Sequence, residues 1–289
     1  MITSRKIYIL GIAGLLIKIY AEAELVINES FKPFLLGDTE TDVQVFFRQV
    51  EVLPDVSEKV VYEDCFYRVH QDEDNYQYSF FDAPRDLTIY AVGTSDKDMT
   101  HIHIDYLKEG MHCVSELRNC FAHLNFESIL IRRKRFFLHA ACVETKLGGL
   151  LFSGPSGIGK STQAELWNKY RKATHINGDR PILSKEGTEW RAWGAPYAGS
   201  SKCHVNESCS VIAIIVLKQS ASCQLRRLNP REAFRAVWTG MTVHSWDKAF
   251  VEEASGLVME LISDVPVYEY CCTPDEHAVD YLEKCLRKE

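Results

Sequence analysis

The sequence predicts an α/β domain that follows a small, mostly-β module, which makes the chain α+β overall. Three observations predict this. Short β-type runs fill the first hundred residues, strand–loop–helix units begin at Phe136, and a glycine-rich loop separates an apolar strand from a helix. The 289 residues are enough for two separate cores. We predict a β module at 1–108, a connecting helix and basic linker at 109–135, and the α/β domain at 136–289.

The composition excludes several classes of protein. Hydrophobic residues make up 46% and charged residues 25%, as in folded soluble domains. The net charge of -7 gives no broad positive field, so we predict no nucleic-acid partner, and the basic run 132–135 fits a solvated edge. Ten scattered cysteines without a C-x-x-C pair predict free, mostly buried thiols in a reducing compartment.

The N-terminus imitates a secretion signal. An apolar stretch at Lys6–Ile17 precedes small residues at Ala21–Ala23, where a cleavage site would lie. However, Gly11, Gly14 and Lys18 interrupt the stretch, and apolar residues continue to alternate beyond it. We therefore predict a first strand or hairpin. No apolar run reaches the length that spans a bilayer, so we predict no membrane partner.

The β module is predicted from runs of β-branched and aromatic residues between polar turns. These runs are Val43–Phe47, Tyr76–Phe81, Leu87–Val92 and Ile102–Tyr106. Their short connections favour an antiparallel sheet. Apolar residues then recur at helical spacing over 113–129, which predicts one amphipathic helix that connects the two parts of the chain.

The elements of the α/β domain are predicted from period and from helix caps. Gly149–Ser153 is a short apolar strand, and a helix follows from Lys160 to about Tyr170. Val211–Leu217 is a continuous apolar run that fits a buried strand. Asn229–Glu232 begins a helix, with Asn as the N-cap and Pro in the first turn, and Pro274–Glu276 begins the last helix similarly.

The loop between that strand and helix matches G-x-x-x-x-G-K-[ST] at every fixed position. It consists of Gly154, Pro155, Ser156, Gly157, Ile158, Gly159, Lys160 and Ser161, and Thr162 follows it. In this pattern the glycines let backbone N–H groups approach phosphate oxygens, and the helix adds the positive end of its dipole. Lys160 supplies a charge for the β- and γ-phosphates, and the hydroxyl of Ser161 can bind Mg²⁺. We predict that this segment, the glycine loop (Gly154–Ser161), binds ATP with Mg²⁺.

Two further residues are candidates for the chemistry. The run Ala173–Arg180 predicts a short strand that ends in an acid, Asp179, which could hold Mg²⁺ or accept the proton of a substrate hydroxyl. The alternative is a turn aspartate after Asn-Gly. His139, predicted on the strand before the loop, is the second candidate, and its alternative is a hydrogen-bonded core histidine.

Three segments together resemble the catalytic domain of HPr kinase/phosphorylase, and they are closer to the HPr-kinase-like serine kinases of bacteria. They are Leu138–Ala140, the glycine loop and Asn177–Arg180, and Gly194–Ser200 is similar as well. The resemblance covers roughly 136–286. It implies a P-loop fold of the phosphoenolpyruvate-carboxykinase type. It also implies that Asp179 acts as base or metal ligand, that His139 assists it, and that Lys160 and Ser161 handle phosphates and Mg²⁺.

The sequence departs from this family in two places. The family has two adjacent acids where this chain has Gly178 and Asp179, so one carboxylate remains. The glycine-rich stretch that accompanies phosphorylase activity has no counterpart, so neither that activity nor the family's hexamer is implied, and an oligomer remains possible. A polar loop could contact the acceptor or be a solvated connection, and its residues are Tyr197, Ser200, Ser201, Lys202, Asn206 and Glu207.

These observations lead to a functional hypothesis with two alternatives. The first is a cytoplasmic kinase that transfers the γ-phosphate of Mg-ATP to a serine-type hydroxyl of a protein, a peptide or free serine. The β module could then bind a peptide by strand addition. The alternatives are an ATP-binding sensor without phosphotransfer and a slow ATPase, both of which fit a single carboxylate at Asp179.

Overall fold

The chain divides into two compact units. A computed structural model describes residues 5–73, 75–83, 86–199 and 203–288. Backbone contacts separate a first unit, Met1–Arg132, from a second unit, Arg133–Glu289. Ser200, Ser201 and Lys202, which the sequence suggests as acceptor contacts, lie outside the described residues.

The described part of the first unit forms one sheet of nine strands. They are β1 (Lys6–Ile12), β2 (Leu15–Ala21), β3 (Leu35–Leu36), β4 (Val43–Gln49), β5 (Val60–Glu63), β6 (Tyr67–Asp72), β7 (Asn75–Ala83), β8 (Asp86–Ser95) and β9 (His101–Tyr106). Their order in the sheet is β3-β1-β2-β4-β9-β8-β7-β6-β5. The four predicted strands of the module are confirmed as β4, β7, β8 and β9.

The predicted first hairpin is also confirmed. Strands β1 and β2 pair antiparallel, and Ala13 and Gly14 turn the chain between them with positive φ angles of 52° and 75°. However, the prediction of an antiparallel sheet is wrong, because β4 lies parallel to both β2 and β9. The connection from β2 to β4 contains a 3-10 helix at Glu29–Phe34 and the short β3, so it is long enough to return the chain to the same end of the sheet.

The single connecting helix predicted from the spacing is divided into three short helices. These are a 3-10 helix at Lys108–Val114, α1 (Leu117–Ala122) and α2 (Phe126–Arg132). Asn125 adopts a left-handed conformation with a φ of 49°, which a continuous α-helix does not contain. Each short helix contributes buried apolar residues to the unit, and α2 is buried along most of its length.

The described part of the second unit is a mixed α/β structure. Its strands are β10 (Arg135–Phe137), β11 (Ala140–Thr145), β12 (Gly148–Ser153), β13 (Thr174–Asn177), β14 (Ile182–Glu186), β15 (Glu189–Trp193), β16 (Ser208–Gln219), β17 (Gln224–Arg227) and β18 (Val267–Cys272). Its helices are α3 (Lys160–Arg171), α4 (Pro230–Trp238), α5 (Lys248–Asp264) and α6 (Glu276–Leu286). The main path of the sheet is β10-β14-β15-β16-β12-β11-β13, with β18 beside β16 and β17 beside β18.

One buried cluster of the second unit lies between this sheet and the helices α3 and α6. Phe152 of β12 and Tyr268 of β18 pack in one buried cluster with Trp167 of α3 and Leu282 of α6. The predicted strands β12 and β16 and the predicted helix α3 are confirmed. The predicted helix starts are confirmed as well, since Asn229 caps α4 in a reciprocal capping box and the side chain of Asp275 caps α6.

Two further sequence expectations concern cysteines and membranes. All ten cysteines are free thiols, of which four are buried, five half-buried and one exposed. No helix in the described parts of the chain is both long and apolar enough to cross a bilayer.

Candidate functional site

The candidate residues meet because several strands end at one edge of the sheet in the second unit. Strands β12, β16 and β18 are parallel, and β11 is antiparallel to both β12 and β13. The carboxyl ends of β12, β13, β16 and β18 therefore lie at the same edge, together with the start of β11. Open α/β sheets bind ligands at such an edge.

The glycine loop leaves β12 and enters α3 at this edge. Gly154, Gly157 and Gly159 have φ angles of 138°, 77° and 112°, a region in which side chains other than hydrogen are strained. Gly159 is the N-cap residue of α3, and no side chain caps the helix there. The first N–H groups of a helix have no partner within it, so this end of α3 can receive an anion.

Lys160 lies under the loop rather than in solvent. Its residue surface is 8% exposed, and its ammonium donates hydrogen bonds to the carbonyls of Gly154 at 3.1 Å and Pro155 at 3.2 Å. Burial lowers the pKa of Lys160, and the negative charge of Asp179 opposes that shift. The ammonium is therefore held at the loop, near the carboxylate that follows β13.

Asp179 and His139 form a pair beside the loop. The Nε2 atom of His139 lies 3.3 Å from Oδ1 of Asp179, and both side chains are half-exposed. Arg180 lies farther away, with its Nε atom 3.9 Å from Oδ2 of Asp179. The two residues that the sequence suggests for proton transfer are thus adjacent and open to a substrate.

The pKa of His139 is lowered by its surroundings. Burial is the largest cause, the positive charges of Lys160 and Arg180 act in the same direction, and Asp179 opposes them. Because the ordinary pKa of a histidine is near 6.5, His139 is neutral at pH 7. A neutral imidazole can accept or relay a proton at this position.

A buried asparagine fixes the position of Asp179. The side-chain oxygen of Asn177 accepts hydrogen bonds from the N–H groups of Asp179 at 2.9 Å and Arg180 at 2.7 Å. Its amide nitrogen donates to the carbonyl of Tyr197 at 3.0 Å. Asn177 therefore forms the turn that the sequence offered as the alternative for Asp179, and this turn directs the carboxylate toward His139.

His139 does not lie on a strand, as the sequence predicted, but in the two-residue junction between β10 and β11. Its N–H donates to the carbonyl of Gly240 at 2.7 Å, and its carbonyl accepts from the hydroxyl of Ser153 at 3.3 Å. The next N–H, that of Ala140, donates to the carbonyl of Asp179 at 3.0 Å. The chain bends at this junction because β10 pairs with β14, whereas β11 pairs with β12 and β13.

Two side chains near the loop offer oxygen donors of the type that binds a magnesium ion. Ser161 is half-buried in the first turn of α3 and offers a hydroxyl, and Asp179 offers a carboxylate. Hard oxygen donors of this kind suit Mg²⁺, which binds through one or two protein ligands together with phosphates and water. Thr162 is exposed in the same turn, and Gly178, next to Asp179, adds no second acid.

A cleft of about 650 Å³ opens on the other side of the glycine loop. We call it the strand-end cleft, and its lining residues are Gly157, Ile158, Gly159, Thr162, Gln163, Leu217, Lys218, Gln219, Ser220, Cys272, Thr273 and Pro274. The cleft follows the ends of β16 and β18, whereas Asp179 follows β13. The loop separates these two regions, because β12 lies between β16 and β11 in the sheet.

Sequence reasoning missed the strand-end cleft and the contacts that Asn177 and Gly199 make with Asp179. The Asn-Gly turn was an alternative for Asp179, and the rule that Asn bonds the backbone two residues ahead would have identified the side chain of Asn177 as its support. Gly199 packs so closely that an added Cβ would lie 2.9 Å from Cβ of Asp179, and its φ is 54°. The strand-end cleft has no local pattern in the sequence, because its lining residues come from three separate segments.

Comparisons with known proteins provide little information about the function. No protein-family model matches the chain, and no curated protein matches it. One similar solved structure is the Hpr(Ser) kinase/phosphatase from Coxiella burnetii, at 14% identity and a TM-score of 0.30. The match covers 53% of this chain and 94% of that chain. The case for a function therefore depends on the geometry of the site itself.

Proposed function

We propose that this protein is a kinase that transfers the γ-phosphate of Mg-ATP to a serine-type hydroxyl of a protein, peptide or small molecule. The observation that carries the proposal is the pairing of Asp179 and His139, 3.3 Å apart, beside the glycine loop. The charge of Lys160 in that loop lowers the pKa of His139, and the charge of Asp179 raises the pKa of Lys160. A loop alone supports nucleotide binding. A carboxylate–imidazole pair next to it supports removal of a proton from an attacking hydroxyl.

The triphosphate lies along the glycine loop in this proposal. The N–H groups at the start of α3 and the ammonium of Lys160 bind its oxygens, and Ser161 and Asp179 hold Mg²⁺, which neutralises charge on the phosphates. Lys160 exchanges its bonds with the carbonyls of Gly154 and Pro155 for bonds to phosphate. The nucleoside then extends into the strand-end cleft, which opens beside Gly157 and Gly159.

The acceptor approaches from the opposite side, near Asp179. Its hydroxyl donates a proton to the Asp179–His139 pair as its oxygen attacks the γ-phosphorus, and the bond from that phosphorus to the bridging oxygen breaks. Asn177 and Gly199 hold Asp179 in position without contacting the acceptor. Tyr197 begins the loop whose other residues are candidates for contacts with the acceptor.

An ATP-binding sensor or slow ATPase is the second candidate, and Gly178 favours it. With glycine next to Asp179, one carboxylate has to serve both Mg²⁺ and the proton. If it serves the metal alone, the site binds ATP and changes conformation, or positions water, without an acceptor.

The test follows the γ-phosphate of labelled Mg-ATP with the purified chain, serine-containing peptides and free serine. We expect label on a hydroxyl, and we expect Asp179→Asn to lower that transfer by at least about 100-fold. Asp280→Asn is the matched control, because Asp280 is an exposed acid on α6 that pairs with Arg171, and it should leave transfer unchanged. Tight ATP binding without transfer to any acceptor would favour the sensor instead.

A further inference from the structure

Three metal-binding side chains converge in the first unit, far along the chain from the glycine loop. Asp82 near the end of β7 meets His112 and Cys113, which lie in the 3-10 helix Lys108–Val114. Their donor atoms all lie within 4.8 Å of one another. We propose that these three residues form a zinc site.

The distances between the donor atoms fit a tetrahedral ion. Nε2 of His112 lies 3.0 Å from Oδ1 of Asp82, Sγ of Cys113 lies 3.3 Å from Nε2 of His112, and the same Sγ lies 3.4 Å from Oδ1 of Asp82. Bond lengths of about 2.0 Å to N or O and about 2.3 Å to S place tetrahedral donors about 3.3–3.6 Å apart. The three atoms therefore need to move by only a few tenths of an ångström.

The other nitrogen of His112 is already held. Nδ1 of His112 lies 3.0 Å from the carbonyl of Glu109, so it carries the hydrogen and donates it. The other ring nitrogen, Nε2, faces the carboxylate of Asp82. Metal-binding histidines commonly have such a hydrogen bond from their second nitrogen to a carbonyl, because it fixes the orientation of the ring.

The 3-10 helix Lys108–Val114, which carries His112 and Cys113, packs closely against β8. Gly110 is buried, and a Cβ at this position would lie 2.4 Å from Cδ2 and 2.8 Å from Cβ of Tyr90, on β8. Glycine at this position therefore lets the 3-10 helix approach the sheet. This approach brings His112 and Cys113 to Asp82 on the neighbouring strand.

The donor set selects the metal. One thiolate, one imidazole and one carboxylate favour Zn²⁺ over Mg²⁺ or Ca²⁺, which prefer oxygen alone. On binding, the sulfur–metal bond replaces the S–H bond of Cys113, and one proton leaves to solvent. Three protein ligands leave the fourth position to water, because Asp82 and His112 have side chains that are 41% and 66% exposed.

The experiment uses the full chain after treatment with a chelator, titrated with Co²⁺ and then with Zn²⁺. We expect one equivalent of Co²⁺ to give tetrahedral ligand-field bands and a thiolate charge-transfer band, and we expect Zn²⁺ to displace it. Cys113→Ser should abolish the charge-transfer band. His112→Gln and Asp82→Asn should each weaken Zn²⁺ binding by at least about tenfold.

Two matched controls distinguish the site from other side chains. His101→Gln removes a histidine that pairs with Asp96 at 3.3 Å without a cysteine, and Cys65→Ser removes an exposed thiol. Both variants should bind the metals as the natural chain does. A charge-transfer band that survives in Cys113→Ser, or a chain that gives no tetrahedral cobalt spectrum, would overturn the proposal and leave a histidine–aspartate ion pair in its place.

Discussion

At the scale of single residues, the pKa values of the basic side chains in the site depend on burial and on nearby charges. Lys160 lowers the pKa of His139, and Asp179 raises the pKa of both His139 and Lys160. Burial disfavours both cations, and the carboxylate compensates in part. A neutral histidine beside an ionised carboxylate is the state in which the pair can take a proton from a hydroxyl.

The lowered pKa of His139 predicts how the rate depends on pH. His139 is protonated only as the pH falls through its lowered pKa, so the acid limb of kcat/KM should have its midpoint below the ordinary value of about 6.5. Protonation fixes His139 in an ion pair with Asp179 and removes the base. The measurement is a pH–rate profile of phosphate transfer.

His139→Gln should remove this limb, so that the rate no longer falls as the pH is lowered through the pKa of His139. The rate at its maximum should fall by roughly 10²-fold. His175→Gln is the matched control, since His175 on β13 also has a pKa lowered by burial and should leave the profile unchanged. If His139→Gln kept the acid limb of the natural chain, His139 would have no part in proton transfer.

At the scale of elements, the glycine loop combines open space with backbone angles that glycine adopts without strain. Gly159 has a φ of 112°, and an added Cβ would meet no atom within 4 Å. An alanine there therefore costs energy through its backbone alone, about 1–2 kcal/mol. The loop would relax that strain by turning the N–H groups that begin α3.

Gly159→Ala should weaken Mg-ATP binding by at least about tenfold, because those N–H groups no longer point at the phosphates. Gly187→Ala is the matched control, since Gly187 lies between β14 and β15 with a φ of 64° and equally open space. It should lose stability without losing affinity. Calorimetric titration measures both variants, and equal affinities would contradict the assigned role of the loop.

The same elements show what the sequence could predict. The glycine loop, α3, β16 and the caps Asn229 and Asp275 follow from local rules of period and capping, and the structure confirms these elements. The parallel pairing of β4 does not follow from local rules, because it depends on strands that are distant in the sequence. The break in the connecting helix at Asn125 does not follow from them either, because it depends on the φ angle of a single residue.

The site divides in the same way. The positions of Lys160 and Asp179 after their strands could be predicted, because a strand that ends at a polar loop delivers the next side chain to the edge of the sheet. The junction that holds His139 could not, since it requires β10 and β11 to pair with different strands. The roles of these residues stay predictions until they are measured.

At the scale of the whole molecule, every residue of the candidate site belongs to the second unit. That unit has its own sheet and a buried cluster that includes Phe152, Trp167 and Tyr268. A unit with its own core can fold alone, so we expect residues 133–289 to fold when produced without the first unit. The Kd of this fragment for Mg-ATP should lie within about threefold of that of the full chain. A folded fragment that does not bind the nucleotide would contradict the claim that the whole site lies in the second unit.

The central claim is that the glycine loop holds the triphosphate, and Lys160 tests it most directly. The measurement is a calorimetric titration of Mg-ATP into the natural chain, Lys160→Gln and the control Lys169→Gln, an exposed lysine on the same helix. The account predicts binding that Lys160→Gln weakens by at least about tenfold, or about 1.4 kcal/mol, and that Lys169→Gln leaves unchanged. Equal affinities in all three proteins, or no binding by the natural chain, would contradict it.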